Sequence, residues 1–379
     1  MGLTASARSQ APALSAPAHP TSSPPCANRP ALAAGPDPRA KIGLALGGGA
    51  ALGWTHIGIL RALEARGIRP DIVAGTSIGA VVGGGYAAGH LDALEAFARG
   101  LTRRKVFGYL DFNVTGTGLI SGQRLCTKLE ETLKGVDIED LERTFVAVAA
   151  EIGTGHELWL SRGSLVQAIR ASYALPGIFR PVNVNGRWLF DGALTNPIPV
   201  SVCRALGARY VIAVNLNADT TGRGTVEPNF DVGSANATPA DPALSEQPAA
   251  GGVRKLLQRQ LFGRTGEDNP VPGISTVMID AFSIVQDRIS RARLAGDPPD
   301  IVLKPRLQGI GLFDFHRAEE MIARGEEVVA READDLDHDL SARGLKGVNQ
   351  DRDALPRPLD ANESARGLAS PEVAEAPAP

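Results

Sequence analysis

The sequence predicts an α/β fold in which helices pack against a largely parallel sheet. Short apolar runs of strand length alternate with segments whose apolar residues recur at helical spacing, and this alternation is typical of parallel α/β sheets. One hairpin signal, Asn185-Gly186 between two apolar runs, interrupts the alternation. It predicts an antiparallel pair of strands over residues 182–191.

Each element follows from its local pattern. Residues 42–46 form a buried-strand run, and residues 54–66 carry Ile57, Leu60 and Leu63 at helical spacing. The same reasoning predicts further strands at 71–74, 145–150, 210–216 and 301–303. It predicts further helices at 78–88, 119–133, 165–172 and 315–324.

Composition divides the 379 residues into a folded region and three polar segments. Residues 1–40 are rich in Ala, Pro and Ser and lack the apolar core of a secretory signal. Residues 217–272 and 344–379 are polar or small and show little periodicity. We therefore expect one domain over 41–343 with a flexible insertion at 217–272, flanked by two disordered tails.

Charge and cysteine content argue against several classes of function. A formal net charge of -3 and 43% hydrophobic residues describe an ordinary globular chain rather than a nucleic-acid-binding one. Three scattered cysteines support neither a disulfide framework nor a metal cluster, which favours a reducing compartment. No apolar segment approaches the ~20 residues that span a bilayer. A cytoplasmic protein is expected, with any membrane contact peripheral.

The first predicted strand ends in the glycine-rich stretch Gly47-Gly-Gly-Ala-Ala-Leu-Gly53. Glycines after a strand permit a tight turn, or they bring backbone amides close to a phosphate or to the oxyanion of an acyl-transfer reaction. The stretch lacks the Gly-Lys-Ser/Thr ending of a P-loop and the glycine spacing of a dinucleotide fingerprint. Both nucleotide-binding fingerprints therefore fail, and a plain turn and an oxyanion-binding loop stay open.

Gly75-Thr-Ser-Ile-Gly79 places a serine between a predicted strand and a predicted helix. A G-x-S-x-G motif in that position forms a tight elbow that exposes the serine hydroxyl, with a helix N-terminus behind it. Ser77 is therefore a candidate nucleophile, although serine is also a favoured helix N-cap.

A serine nucleophile needs a base, and none of the six histidines lies in a setting that by itself indicates catalysis. His56 and His316 belong to predicted helices, where a packing or surface role is expected. Asp191 follows the apolar residues Trp188-Leu-Phe190 at the end of the hairpin, although an Asp-Gly pair also suits a plain turn. A carboxylate can act directly as general base when it lies within hydrogen-bonding distance of the serine.

Taken in chain order, the glycine stretch, the serine motif and Asp191-Gly-Ala193 resemble the patatin-like phospholipase family. The resemblance extends to Ala174-Leu-Pro-Gly-Ile-Phe-Arg-Pro181, to Asn196-Pro-Ile-Pro199 and to Phe313-Asp-Phe-His-Arg-Ala-Glu-Glu320. These segments are similar to a bacterial subgroup related to neuropathy target esterase, and the resemblance covers nearly all of the region predicted to fold.

The resemblance implies a three-layer α/β/α sandwich that hydrolyses acyl esters of phospholipids, lysophospholipids or neutral lipids without a metal or another cofactor. In the implied mechanism Ser77 attacks the ester carbonyl, and Asp191 accepts its proton and later activates water. The implied oxyanion hole consists of backbone amides of Gly47, Gly48, Gly49 and Ile78. The elbow glycines are Gly75 and Gly79.

Leu52 departs from the family pattern, in which Arg or Lys usually precedes the last glycine of the first motif. A non-catalytic adaptor or lipid-binding protein on the same fold is therefore one alternative. A histidine-dependent α/β-hydrolase that uses His316 or His338 is another, since the chain order Ser, Asp, His is available. Hydrolysis and acyl transfer share one acyl-enzyme, so the sequence does not separate them.

Residues 252–264 have the pattern of a short amphipathic helix. Val253, Leu256 and Leu257 share one side with Leu261, and four basic residues flank them: Arg254, Lys255, Arg259 and Arg264. Such a stretch can bind an anionic lipid interface. A helix packed on the domain or an ordered piece of linker has the same pattern.

If residues 252–264 dock on lipid, deleting them will remove binding to anionic liposomes, because the apolar side and its cations supply the attraction. Co-sedimentation of the purified protein with anionic and with neutral liposomes measures this. Binding that the deletion leaves unchanged contradicts the hypothesis.

Overall fold

The computed structural model describes residues 41–109, 123–133, 135–218 and 274–345. The predictions made for the N-terminal tail, for the interfacial segment 252–264 and for most of the C-terminal tail lie outside these residues. All of the described residues belong to one compact unit.

Eight strands of the described chain join in one sheet. Their bounds are β1 Lys41–Leu46, β2 Ile72–Thr76, β3 Thr144–Glu151, β4 Glu157–Leu160, β5 Val182–Val184, β6 Arg187–Asp191, β7 Ala208–Val214 and β8 Ile301–Leu303. The helices are α1 Thr55–Ala65, α2 Ile78–Ala87, α3 Leu91–Arg99, α4 Arg103–Tyr109, α5 Gln123–Leu133, α6 Leu165–Ser172, α7 Val200–Ala205, α8 Ile274–Gly296, α9 Ala318–Arg331 and α10 Ala333–Ala342. Short 3₁₀ turns cover Ala50–Trp54, Ile138–Asp140, Gly192–Leu194 and Phe315–Arg317.

The centre of the sheet is parallel, with the strand order β3-β2-β1-β7-β8. Strands β4 and β6 pair antiparallel with β3, and β5 pairs antiparallel with β6. The predicted β5–β6 hairpin turns at Asn185 and Gly186, whose φ angles of 51° and 83° match a type I′ turn. The prediction of an α/β fold with a largely parallel sheet is therefore confirmed.

Alternate residues of the central strands point to two separate hydrophobic cores, as the two-residue period of a strand requires. Leu44 and Leu46 of β1 belong to the larger core, together with residues of α1, α2 and α9. Ala45 belongs to the smaller core, together with residues of α7. Helices therefore cover both faces of the sheet, which gives three α/β/α layers.

Helix α1 crosses α9 at two glycines. A Cβ atom on Gly58 would lie 1.9 Å from the carbonyl oxygen of Ile322, and one on Gly325 would lie 2.2 Å from that of Thr55. The two helix backbones therefore touch, because no side chain fits at those distances. The contact holds the first turn of α1 in place beside the loop that follows β1.

Helix α8 is the largest difference from the sequence prediction, which assigned no helix to residues 274–296. Its buried residues include the polar Gln286 and Ser290, whereas Ile284 and Val285 are almost half exposed. This distribution reverses the usual amphipathic pattern, so apolar periodicity did not reveal which face packs on the protein. No described helix is both long and apolar enough to cross a membrane.

Smaller differences concern short elements and helix ends. The sequence prediction omits α3, α4, α7, α10 and β4, and α7 has only 6 residues, too few to show a helical period. The helix predicted over 54–66 begins as the 3₁₀ turn Ala50–Trp54 and becomes α-helical at Thr55. The helix predicted over 315–324 continues to Arg331.

Candidate active site

Strand register brings Ser77 and Asp191 to one point beside β3. Thr76, the last residue of β2, pairs with Val148, and Asp191, the last residue of β6, pairs with the following residue, Ala149. Strand β4 also pairs with Val148 and Ala149 of β3, so β4 lies along the other edge of β3, opposite to β2 and β6. Strands β2 and β6 therefore run toward each other along one edge, and their ends meet.

Ser77 lies in a strained turn between β2 and α2. Its φ of 57° and ψ of -124° form a conformation that non-glycine residues rarely adopt, as expected for the serine of a G-x-S-x-G elbow. A Cβ on Gly75 would lie 2.4 Å from Gly79 O, and one on Gly79 would lie 2.2 Å from Leu46 O. Although Ser77 precedes α2, its side chain makes no capping hydrogen bond.

The Ser77 hydroxyl points at the Asp191 carboxylate. Ser77 Oγ donates to Asp191 Oδ2 at 2.7 Å, and the Ala193 amide donates to Asp191 Oδ1 at 2.9 Å. The Asp191 amide donates to Ala174 O at 3.0 Å. Both carboxylate oxygens are therefore held in place, and one of them faces the candidate nucleophile.

Asp191 lies in surroundings that disfavour its charge. Its exposed fraction is 2%, and burial raises the pKa of its carboxyl group from 3.8 to about 7, against smaller opposite effects of the hydrogen bonds from Ala193 and Ser77. Protonated and ionised forms therefore coexist near neutral pH. That balance suits a group that takes up a proton and returns it.

Two further hydroxyls, which sequence reasoning missed, support the elbow. Ser172 Oγ accepts a hydrogen bond from the Ser77 amide at 2.9 Å and donates to Val148 O at 2.6 Å. Thr76 Oγ1 donates to Asn196 O at 2.8 Å. Both side chains are buried. Their partners lie far away along the chain, so no local pattern predicted these contacts.

The glycine run after β1 lies so close to neighbouring residues that its positions have no room for side chains. A Cβ on Gly47 would lie 2.7 Å from the carbonyl oxygen of Val214. One on Gly49 would lie 2.9 Å from Leu216 Cδ1. The loop is therefore held against the end of β7 and the residues that follow it.

Gly48 requires a correction to the predicted oxyanion hole. Its amide donates to Pro197 O at 3.0 Å, so it is not available to an oxyanion in this conformation. Gly49 and Ile78, by contrast, line the same cavity as Ser77. Gly47 does not line that cavity, and its carbonyl group accepts a hydrogen bond from His56.

His56 fixes the glycine loop from helix α1. Its ring is fully buried, and Nε2 lies 2.8 Å from Gly47 O, so Nε2 carries the proton and donates it. Burial lowers the pKa of the ring from 6.5 to about 4, against a smaller opposite effect of the Gly47 hydrogen bond. The ring is therefore neutral at physiological pH, and its role is to hold the loop.

An apolar cavity of about 300 Å³ adjoins the candidate nucleophile. Ser77 and Asp191 lie in its wall together with Ile78, Val81 and Gly85 of α2. Aromatic side chains form much of the remaining wall, among them Trp54, Phe97, Tyr173 and Phe315. The space beside Ser77 is therefore suited to an apolar group.

Leu52 lies in the protein core and not at the site. Its side chain is 2% exposed, packs in the larger core and does not line the cavity. The side chain that suggested a non-catalytic adaptor therefore does not meet the groups that would perform the chemistry, although the Leu52 amide donates to Gly49 O at 3.1 Å.

The histidines of the alternative mechanism lie elsewhere. His316 Nε2 accepts a hydrogen bond from Arg103 Nε at 3.0 Å, and His338 is exposed on α10. Neither of them lines the cavity. His90 does line it, but at the end of α2 opposite to Ser77. Within the described part of the chain, Asp191 is the side chain that meets the Ser77 hydroxyl.

Comparison with known proteins identifies the family. The family profile described as patatin-like phospholipase matches residues 44–204, which contain the glycine loop, Ser77 and Asp191. An uncharacterized NTE family protein of Mycobacterium tuberculosis is 32% identical over 339 residues, covering 80% of this chain and 94% of that protein. The chain belongs to the patatin-like phospholipase family, in the NTE-related subgroup.

Two other relatives of this patatin-like chain match over less of their own length. A second uncharacterized NTE family protein of Mycobacterium tuberculosis is 29% identical over 304 residues, covering 79% of this chain and 47% of that protein. Patatin-like phospholipase domain-containing protein 7 of Mus musculus is 34% identical over 185 residues, covering 47% of this chain and 14% of that protein. Membership in the patatin-like family agrees with the three-layer fold described above.

Asp191→Asn is expected to stabilise the patatin-like domain more strongly as pH rises. The folded protein favours the neutral carboxyl, so ionisation costs stability increasingly between the unfolded pKa of 3.8 and the folded pKa of about 7. Asparagine removes that cost, which reaches about 4 kcal/mol at most above pH 7. Urea unfolding at about pH 5 and about pH 8 measures the difference from wild type.

Ser77→Ala is the matched control, because it keeps the buried carboxyl group. We expect it to lose stability with rising pH as the wild type does, and over a range that extends to slightly higher pH, because the Ser77 hydrogen bond that lowers the Asp191 pKa is absent. An Asp191→Asn variant whose gain is the same at both pH values contradicts the raised pKa.

Proposed function

We propose that this patatin-like protein is a serine acyl hydrolase that cleaves lipid acyl esters of the phospholipid or lysophospholipid type through a Ser77-Asp191 dyad. The observation that carries the proposal is the 2.7 Å hydrogen bond from Ser77 Oγ to Asp191 Oδ2 in the wall of an apolar cavity. Membership in the patatin-like phospholipase family supports lipid acyl esters as the substrate class.

Acylation begins when Asp191 accepts the hydroxyl proton of Ser77 and Ser77 Oγ attacks the ester carbonyl carbon. The carbonyl oxygen becomes an oxyanion in the tetrahedral intermediate. When the intermediate collapses, the alcohol leaves and takes the proton from Asp191, and the acyl group stays on Ser77. A carboxyl pKa of about 7 lets one group perform both proton transfers near neutral pH.

The amides of Gly49 and Ile78 are the proposed oxyanion donors. Both residues line the cavity with Ser77. Ile78 begins α2, and the first amides of a helix have no partner within the helix. The positive end of the helix dipole also favours a negative charge there. Gly48 is excluded because its amide is bound to Pro197 O.

Deacylation repeats these steps with water as the nucleophile. Asp191 accepts a proton from the water molecule, the hydroxide attacks the acyl carbon, and the proton returns to Ser77 as the fatty acid leaves. The products are a fatty acid and an alcohol. The alcohol is a lysophospholipid when the substrate is a phospholipid, and a deacylated headgroup when the substrate is a lysophospholipid.

The cavity is the proposed site for the acyl chain. Ser77, Val81 and Gly85 lie along one side of α2 and line it, and at 1.5 Å per residue they span about 12 Å of helix. An acyl chain bound on Ser77 can therefore extend along α2 among apolar and aromatic side chains. Residues 252–264 remain the proposed contact with the lipid surface.

Ser77→Ala and Asp191→Asn are each expected to reduce hydrolysis of nitrophenyl butyrate by at least about 10³-fold, because they remove the nucleophile and the base. Both are also expected to lose labelling by a fluorophosphonate probe. His316→Ala is the matched control and retains both activities. A wild type that neither labels nor hydrolyses any acyl ester contradicts the proposal and favours the non-catalytic binding protein.

Gly85→Val is expected to shift the substrate preference toward short acyl chains. A Cβ at this position meets Leu94 Cδ2 at 3.3 Å, so a larger side chain fills the cavity along α2. The ratio of kcat/KM for nitrophenyl palmitate to that for the butyrate should fall about tenfold or more, since each buried CH₂ contributes about 0.8 kcal/mol. Val81→Ala, which enlarges the cavity, is the comparison variant. A ratio unchanged in Gly85→Val contradicts the assignment of the acyl site.

A further inference from the structure

Gln286 is a buried polar residue whose carboxamide has no role in the site described so far. Only 5% of it is exposed, and it lines the cavity together with Ser77 and Asp191. Its backbone carbonyl accepts a hydrogen bond from Ser290 Oγ at 2.7 Å. No hydrogen bond joins its carboxamide to another described residue, and the carboxamide is not one of the fully enclosed atoms that lack a partner. It therefore faces the cavity, where it is available to a bound molecule.

The carboxamide faces the glycine loop beside the nucleophile. The point that a Cβ of Gly48 would occupy is 2.7 Å from Gln286 Nε2 and 3.4 Å from Ser77 Cβ. Gln286 Nε2 and Ser77 Cβ are therefore no more than 6.1 Å apart. An ester group bonded to Ser77 lies within reach of a donor at that position.

Helix α8 is anchored at the level of the site. Arg293 Nη2 donates to Glu157 Oε2 at 2.8 Å, and Glu157 Oε1 accepts a hydrogen bond from Asn196 Nδ2 at 2.8 Å. The carbonyl group of Asn196 in turn binds Thr76 of the elbow. The helix that carries Gln286 is thus linked by side-chain bonds to the residue before the nucleophile.

We propose that the Gln286 carboxamide donates an N–H hydrogen bond to the carbonyl oxygen of the substrate ester while Ser77 attacks it. The inference rests on the proposed acyl hydrolase function. It assigns a donor from α8 to a site where one loop amide, that of Gly48, is already bound to Pro197 O. The bond strengthens as negative charge develops on the oxygen, so Gln286 assists the chemical step and not substrate binding alone.

Gln286→Met tests this role, since methionine has a similar size and apolar stem but no N–H donor. We expect kcat for nitrophenyl butyrate to fall about 10- to 100-fold with a smaller change in KM. Gln286→Asn, whose amide is one methylene too short, should show a similar loss. Ser290→Ala is the control for packing of α8 and should keep kcat. All variants are compared by thermal unfolding and by fluorophosphonate labelling at saturation.

The outcomes separate this inference from the proposed function. A Gln286→Met enzyme with wild-type kcat overturns the inference and leaves the Ser77-Asp191 dyad intact. A loss of kcat that Ser290→Ala reproduces, with the same drop in melting temperature, also overturns it, because packing of α8 then explains the effect. A wild type that is inert to the probe overturns the proposed function itself, and this inference with it.

Discussion

The hydrogen bond between the Ser77 hydroxyl and the buried Asp191 carboxylate is the interaction on which the rest of the site depends. This bond forms only if β2 and β6 end at the same point beside β3 and Ser77 adopts a positive φ. Gly75 and Gly79 are needed because the elbow leaves no room for a Cβ. Burial of Asp191 destabilises its charge, and the same burial gives it a pKa suited to proton transfer.

Neutral polar groups surround this dyad. His56 is uncharged because burial lowers its pKa, and it holds the glycine loop through the Gly47 carbonyl. Ser172 holds the backbone of Ser77, and Gln286 presents its carboxamide from α8. A site with few charges suits an apolar acyl substrate. It also protects the pKa of Asp191, because an additional charge in a low-dielectric environment would strongly shift the pKa of that carboxyl group.

The structure brings together two residues that local sequence patterns singled out. Ser77 was predicted because a short motif lay between a strand and a helix, and Asp191 because an acid followed an apolar hairpin strand. The roles of Ser172 and Gln286 depend on contacts with residues far away along the chain, which no local pattern encodes. Helix α8 escaped prediction because polar Gln286 and Ser290 are buried while apolar Ile284 and Val285 are almost half exposed. The bond from the Gly48 amide to Pro197 O likewise depends on how two distant loops pack.

The most direct test of this account is the pH dependence of kcat/KM for ester hydrolysis by the wild-type protein between about pH 5 and about pH 9. If Asp191 is the general base with a pKa of about 7, kcat/KM rises nearly tenfold per pH unit in the acidic range and levels off above that pKa, because only the ionised carboxyl accepts the Ser77 proton. A profile that is flat across the acidic range indicates a base of ordinary carboxyl pKa, and it contradicts the role assigned to the buried Asp191.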